Sequence, residues 1–163
     1  MAGMNANTLI IYASRHGCAE KCARDLAGRL RGSVETIALG KGKPGDLAAY
    51  DAVVVGGSIR AGKIQKSVRA FCDRNLETLK GKRFGLFLCC MEEGEKANRQ
   101  FADAFPAELI ARATAKGLFG GEFDFKKMGW LERAIVRKVA KIDASVSKIK
   151  SEAVAVFAAA MNG

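Results

Sequence analysis

Three short runs, Thr8 to Ala13 (TLIIYA), Ala52 to Gly57 (AVVVGG) and Phe84 to Cys90 (FGLFLCC), are apolar almost without interruption instead of at every second residue. A strand of that kind has no wet face, so it belongs inside a sheet covered by helices on both sides, and such sheets are parallel. Helical patterns separate the runs: Ala19, Cys22, Ala23, Leu26 and Leu30 share one face, and Ile64, Val68, Phe71 and Cys72 share another. Val34 to Leu39 reads as a weaker edge strand, and Thr114 to Phe119 as a fifth strand ended by Gly120 and Gly121. Strand alternating with helix implies right-handed crossovers and an α/β, doubly wound, three-layer sandwich. A five-stranded parallel sheet in a chain of this length is expected to have the order 2-1-3-4-5, which binds ligands where strands 1 and 3 diverge. The site is therefore expected on the loops after strands 1, 3 and 4, at Ser14 to Ala19, Gly57 to Gly62, and Cys89 to Gly94.

The 163 residues, 49% of them hydrophobic, suffice for one domain spanning 1–163 with a core on both faces of the sheet. There are no repeats or long linkers, and the one loop-rich gap, Gly40 to Gly45, holds Pro44. Lys and Arg outnumber Asp and Glu by 27 to 17, and the resulting charge of +10 favours anionic partners. Nucleic acid is not expected, because the basic residues lack interleaved aromatics or zinc spacing. Five cysteines, an odd number, and an opening MAGMNAN without a charged leader point to a reducing, cytoplasmic setting. The longest apolar stretch, Ala153 to Met161, falls short of the roughly 20 residues a spanning helix needs. Attachment at a membrane surface stays open.

The first loop, Ser14-Arg15-His16-Gly17-Cys18-Ala19, joins a buried strand to the amino end of a helix. Free N–H groups and the helix dipole there suit an anion, Gly17 allows close backbone approach, and Ser14 adds a hydroxyl. An ordinary strand-to-helix turn with Ser14 as a local cap is the plain alternative. The second loop, Gly56-Gly57-Ser58-Ile59-Arg60-Ala61-Gly62, sets three glycines and a serine around one arginine, which suits a planar ring beside Arg60. A flexible loop with a solvated arginine is its plain alternative.

TLIIYASRHGCAEKCA, YDAVVVGGSIRAGKIQKSVRAF and the late GWLERAIVRKVAK together resemble a flavodoxin domain, and are most similar to the menaquinone-dependent protoporphyrinogen dehydrogenases, small flavodoxin-like enzymes. The resemblance covers nearly the whole chain and implies a flavodoxin-like fold with non-covalent FMN. It places the phosphate loop on Ser14, Arg15, His16, Gly17, Cys18 and Ala19, and the ring-flanking loops on Gly57, Ser58, Ile59 and Arg60 and on Cys89, Cys90 and Met91. Flavodoxins usually carry hydroxyl residues where His16 and Ala19 stand, so Arg15 or His16 must compensate by charge. The aromatic shield common in flavodoxins is missing, which leaves softer stacking by Ile59 and Met91. Arg60 is the candidate catalytic residue: a cation beside the anionic reduced flavin raises its potential, and the basic surface acts in the same sense. The implied function is an FMN-dependent oxidoreductase that passes electrons to a redox partner protein or a quinone. The alternatives are a soluble electron carrier without its own substrate and a degenerate interaction module without FMN.

Residues 121–150 form an insertion before the last helix that a minimal sandwich does not need. Within it Leu131, Ile135, Val139 and Ile142 repeat at helical spacing, beside Arg133, Arg137, Lys138, Lys141 and Lys148, with Trp130 at the start. A basic amphipathic helix with an aromatic anchor suits the anionic inner face of a membrane, contacted through Trp130 to Lys150, or a lid over the cofactor. A plain helix with one face on the core is the alternative. Cys18 and Cys22, four residues apart, lack the spacing of a redox or zinc pair and read as packing residues. Of Cys89 and Cys90, one is expected to face the core and the other the cofactor edge. With a single histidine, His16, no metal site is expected.

Overall fold

The computed structural model describes residues 6–139 and 144–163. In chain order the elements are β1 (Asn7–Tyr12), α1 (Cys18–Arg29), β2 (Ser33–Ala38), β3 (Ala52–Arg60), β4 (Lys63–Ile64), α2 (Lys66–Arg74), α3 (Leu76–Lys80), β5 (Arg83–Cys89), α4 (Gly94–Ala104), α5 (Ala107–Arg112), β6 (Ala115–Leu118), β7 (Glu122–Phe123), α6 (Trp130–Val139), β8 (Val146–Ser147) and α7 (Ser151–Asn162). The main sheet runs β2-β1-β3-β5-β6 with all neighbours parallel. This is the expected order once the two short hairpins are set aside. The apolar runs became the inner strands, and the weaker Val34 to Leu39 run sits at the edge as β2.

Both faces of the sheet are covered, as continuous apolar strands require. Leu9, Ile11, Val53, Val55, Leu86 and Leu88 pack on one side with Val68, Phe71, Phe101, Phe105 and Leu109. Ile10, Val54 and Phe87 point the other way, against Ala19, Cys22 and Leu26 of α1 and Val154 and Phe157 of α7. Phe87 stacks on Phe119 at 4.9 Å, and Phe157 closes on Phe119 edge to face at 5.3 Å. The inserted glycines make room for these rings: a Cβ on Gly56 would lie 2.1 Å from Phe87, and one on Gly85 2.5 Å from Phe157.

Two expectations need correction. Gly57 to Gly62 is no flexible loop. β3 continues through Ser58, Ile59 and Arg60 and turns back into β4, with Ile59 opposite Ile64 and Arg60 opposite Lys63. Ala61 (φ 49°) and Gly62 (φ 79°) make the turn, both in the left-handed region that a two-residue hairpin favours. Ile64 accordingly lies on this hairpin and not on the face of α2. The second correction concerns α6, which has no buried residue and so does not lay an apolar face on the core. Lys141 and Ile142 lie outside the described residues.

The insertion stands on its own two-stranded base. Glu122 pairs with Ser147 and Phe123 with Val146, and the Lys148 N–H donates to the Gly121 carbonyl at 2.7 Å. Phe125 and Met128 are its buried apolar anchors, with the Arg137 guanidinium 5.6 Å above the Phe125 ring. Lys21 of α1 holds Glu122 at 2.6 Å, so the base is fixed beside the amino end of α1.

Candidate functional site

β1, β3 and β5 end at one rim of the sheet. Because the strands are parallel, their following turns emerge side by side: Ala13 N–H donates to Gly56 O at 3.2 Å, and Ser58 is in register with Cys89. Gln65, at the amino end of α2, ties the first two turns together. Its amide nitrogen donates to Ala13 O (3.2 Å) and Ser58 Oγ (3.0 Å), while its amide oxygen accepts from Ser58 N–H (3.0 Å).

The first turn is built to start a helix. Ser14 Oγ accepts from the Gly17 N–H at 3.0 Å, and Gly17 at φ 93° precedes the first residue of α1, Cys18. That φ strains any side-chain-bearing residue, so glycine is required for the chain to enter α1 at this angle. The N–H groups of the first helical turn, through Cys18 and Ala19, have no partner within the helix and point to the rim. Arg15 is exposed, His16 is half-buried, and His16 Nδ1 is buried with no hydrogen-bond partner among the described residues.

In the third turn Cys89 and Cys90 are both buried, on opposite faces of the sheet, so backbone is what this turn offers a ligand. The Cys90 N–H is already given to Gly120 O at 2.9 Å. Gly121 lies so tightly on Cys90 and Met91 that a Cβ there would come within 2.8 Å of their backbone. Met91 and Ile59 are half-buried beside the rim.

The insertion brings two charged groups onto this rim. Lys127 Nζ stands 2.7 Å from the point where a Cβ on Gly17 would sit, directly over the phosphate-type turn. Glu132 of α6 is shared by three basic side chains: Oε1 accepts from Arg15 Nη2 at 2.5 Å and Arg60 Nη2 at 2.9 Å, and Oε2 meets His16 Nε2 at 2.8 Å. One carboxylate thus joins both glycine-bearing turns to the insertion. Gln65, Lys127 and Glu132 were not among the residues expected from sequence. Glu132 did carry a signal, as the one acidic residue of the basic stretch Trp130 to Lys141.

Below the first turn, the Cys18 thiol lies among those of Cys22 and Cys89. Hydrogen bonding from Cys22, and then from Cys89, pulls the Cys18 thiol far below its ordinary range. The same contacts with Cys18 push Cys22 and Cys89 up.

The residues at the rim fit a phosphate-bearing group. They combine a helix amino end with an obligatory glycine, a hydroxyl, an unpartnered buried imidazole nitrogen and a lysine above them. Two surface clefts lie elsewhere, one lined by Asn7, Ser33, Glu35 and Tyr50 and the other by Asn98, Phe101 and Lys116. They lack this chemistry.

The fold defines a doubly wound α/β protein whose strand-end turns gather at the switch point of its sheet. The flavodoxin domain model matches residues 9–149, and the chain belongs to the flavodoxin-domain family. Among solved structures it is similar to a short-chain flavodoxin associated with a non-canonical PDU bacterial microcompartment (TM-score 0.60, 21% identity, 96% of each chain covered). It is also similar to flavodoxin 1 of Bacillus cereus (TM-score 0.57, 17% identity, 96% of this chain and 97% of the other). A flavodoxin from the domain Archaea gives a TM-score of 0.55 at 15% identity, covering 96% of this chain and 99% of the other. At such identities the likeness establishes the fold. No curated protein sequence matches the chain.

Proposed function

We propose that this protein binds FMN at the rim and acts as an oxidoreductase of the kind represented by menaquinone-dependent protoporphyrinogen dehydrogenases. Its electron partner is a quinone or a redox protein met at an anionic membrane surface. The observation that carries the reading is the inverted amphipathicity of α6. Glu132 turns inward to the rim, while Trp130 (80% exposed), Leu131, Ile135 and Val139 (78%) face solvent. A helix of a water-soluble domain ordinarily buries such a stripe. Here the stripe lies beside Arg137 and Lys138, a combination suited to anionic headgroups and an apolar electron acceptor. No helix among the described residues is long and apolar enough to cross a membrane, so contact would be peripheral.

Bound FMN supplies the capacity to take up and release two electrons. The chain supplies binding and charge. Its phosphate would be held by the first-turn N–H groups at Cys18 and Ala19, the Ser14 hydroxyl, Lys127 and the Arg15 and His16 pair. Gly57, Ser58, Ile59 and the Cys89-Cys90-Met91 turn would flank the ring. Arg60 contributes fixed positive charge on the same rim, which favours the reduced anionic form of a bound redox group and makes the protein an electron acceptor. Arg15, His16 and Lys127 stand in for the hydroxyl side chains missing at His16 and Ala19.

The second reading is a plain flavodoxin-type electron carrier. It is favoured by the fold relatives, which are flavodoxins. The visible spectrum of the purified protein, with its flavin stoichiometry, tests both readings: about one FMN per chain is expected, and a colourless protein that takes up no FMN defeats them together. Oxidation of a tetrapyrrole precursor with a quinone acceptor, and pelleting with anionic liposomes, are expected of the enzyme. Their absence in flavin-loaded protein leaves the carrier.

A further inference from the structure

We propose that Cys18, Cys22 and Cys89 form a buried three-sulfur site for a soft monovalent cation, Cu(I). The three Sγ atoms lie within 4.8 Å of one another, and the Cys22 and Cys89 sulfurs are 3.6 Å apart. That spacing is far beyond the ~2.05 Å of a disulfide. It is close to what one ion imposes, since metal–sulfur bonds of ~2.3 Å in a trigonal plane hold the sulfurs about 4 Å apart. All five cysteines are free thiols, and these three gather from two elements 67 residues apart.

The framework around them is rigid. Cys18 and Cys22 stand one turn apart on α1, and Cys89 ends the buried strand β5. Their exposures are 7%, 1% and 1%, so water has little access to a fourth position. No histidine or carboxylate joins the group among the described residues. Zinc in closed protein sites takes four ligands, whereas three soft thiolates with no fourth ligand beside them among the described residues suit Cu(I), one of the ions that such sulfurs favour. The amino end of α1 points its positive dipole at Cys18, which favours an anionic thiolate cluster. On binding, each coordinating sulfur that still carries a proton gives it to solvent, the copper stays monovalent, and no electron moves. The simpler account, three small side chains filling the core, calls for no copper stoichiometry and no dependence of copper binding on these sulfurs. The two accounts therefore make opposite forecasts.

The test uses the full-length reduced chain under anaerobic conditions, titrated with Cu(I) as its acetonitrile complex against a chromophoric Cu(I) chelator. One copper per chain is expected, with three sulfur neighbours by X-ray absorption. Cys18→Ala, Cys22→Ala and Cys89→Ala should each weaken binding by more than the roughly 10–100-fold that loss of an outer-sphere partner causes. Cys72→Ala, which removes a buried thiol packed on the opposite face, should leave binding unchanged. Circular dichroism establishes that each variant is folded; should one fail to fold, the sulfur count on the unaltered chain decides. Chelator stripping that is the same for the unaltered chain and folded Cys89→Ala overturns the proposal. So does a copper with fewer than three sulfurs, or a preference for zinc carrying a fourth oxygen ligand.

Discussion

Arg60 and Glu132, 72 residues apart, meet at 2.9 Å where the β3–β4 hairpin touches α6. The carboxylate that holds Arg60 also holds Arg15 and touches His16, so it offsets part of the arginine charge that an incoming phosphate would meet. Glu132→Gln keeps the shape and removes the charge. Partly exposed pairs are individually weak, on the order of 0.2–1 kcal/mol, and FMN affinity is expected to rise by about two- to tenfold. Flavin fluorescence quenching measures it, and weaker binding in the variant would show that Glu132 organises the cations for the cofactor instead of competing with it.

Lys127 should act in the opposite sense. Its ammonium lies over Gly17 at the amino end of α1, in a turn, Ser14 to Ala19, whose one hydroxyl side chain is Ser14. Lys127→Ala is expected to weaken FMN about tenfold, in line with loss of one charge-assisted contact of roughly 1.5 kcal/mol. Riboflavin, which lacks the phosphate, should bind both proteins alike. Equal loss for riboflavin would place the lysine against the ring instead.

Arg60→Gln removes the fixed charge proposed to favour reduced flavin. The two-electron potential of the loaded protein should fall by on the order of 30 mV, which for this couple corresponds to about 1.4 kcal/mol. Spectroelectrochemistry reads this directly. An unchanged potential would mean that Arg60 serves the insertion through Glu132 and not the flavin.

Gly56→Ala probes the packing under the rim. A Cβ there would stand 2.1 Å from the Phe87 ring, itself buried and stacked on Phe119. Neither ring can move without disturbing the other and Phe157 beside them, so the loss should reach or exceed the top of the ~1–3 kcal/mol range for overpacking. Urea unfolding gives the value; a change below about 1 kcal/mol would mean that the sheet relaxes at β3.

Cys72 supplies a pH dependence. Burial pushes its thiol from 9.0 up to about 12, so the folded state favours the neutral form. A raised folded value means that this contribution is complete below pH 9.0 and is lost as pH climbs from there toward 12. The unaltered chain should lose stability across that window more steeply than Cys72→Ala. Urea midpoints at pH 8 and pH 10.5 compare them, and parallel losses in both proteins would refute the assignment.

The sheet could be read from the chain because burial on both sides leaves a local mark: Leu9 to Ile11, Val53 to Val55 and Leu86 to Leu88 are apolar at every step. The hairpin was hidden because its turn puts Ala61, a residue seldom found at positive φ, beside Gly62. Ile59 and Ile64 then looked like a loop and a helix face. The gathering of these turns on one rim followed from topology, yet their partners did not. Glu132 meets Arg15 across 117 residues, and Cys89 meets Cys22 across 67. No spacing rule spans such gaps, since those contacts exist only after the strands have chosen their neighbours.

The two-stranded base of the insertion brings its first and last residues side by side, with Glu122 opposite Ser147. A segment that leaves and rejoins a scaffold at one spot adds no strain to the sheet, however long it becomes. Changes in the outer arm can therefore be made without moving the strand ends that form the rim.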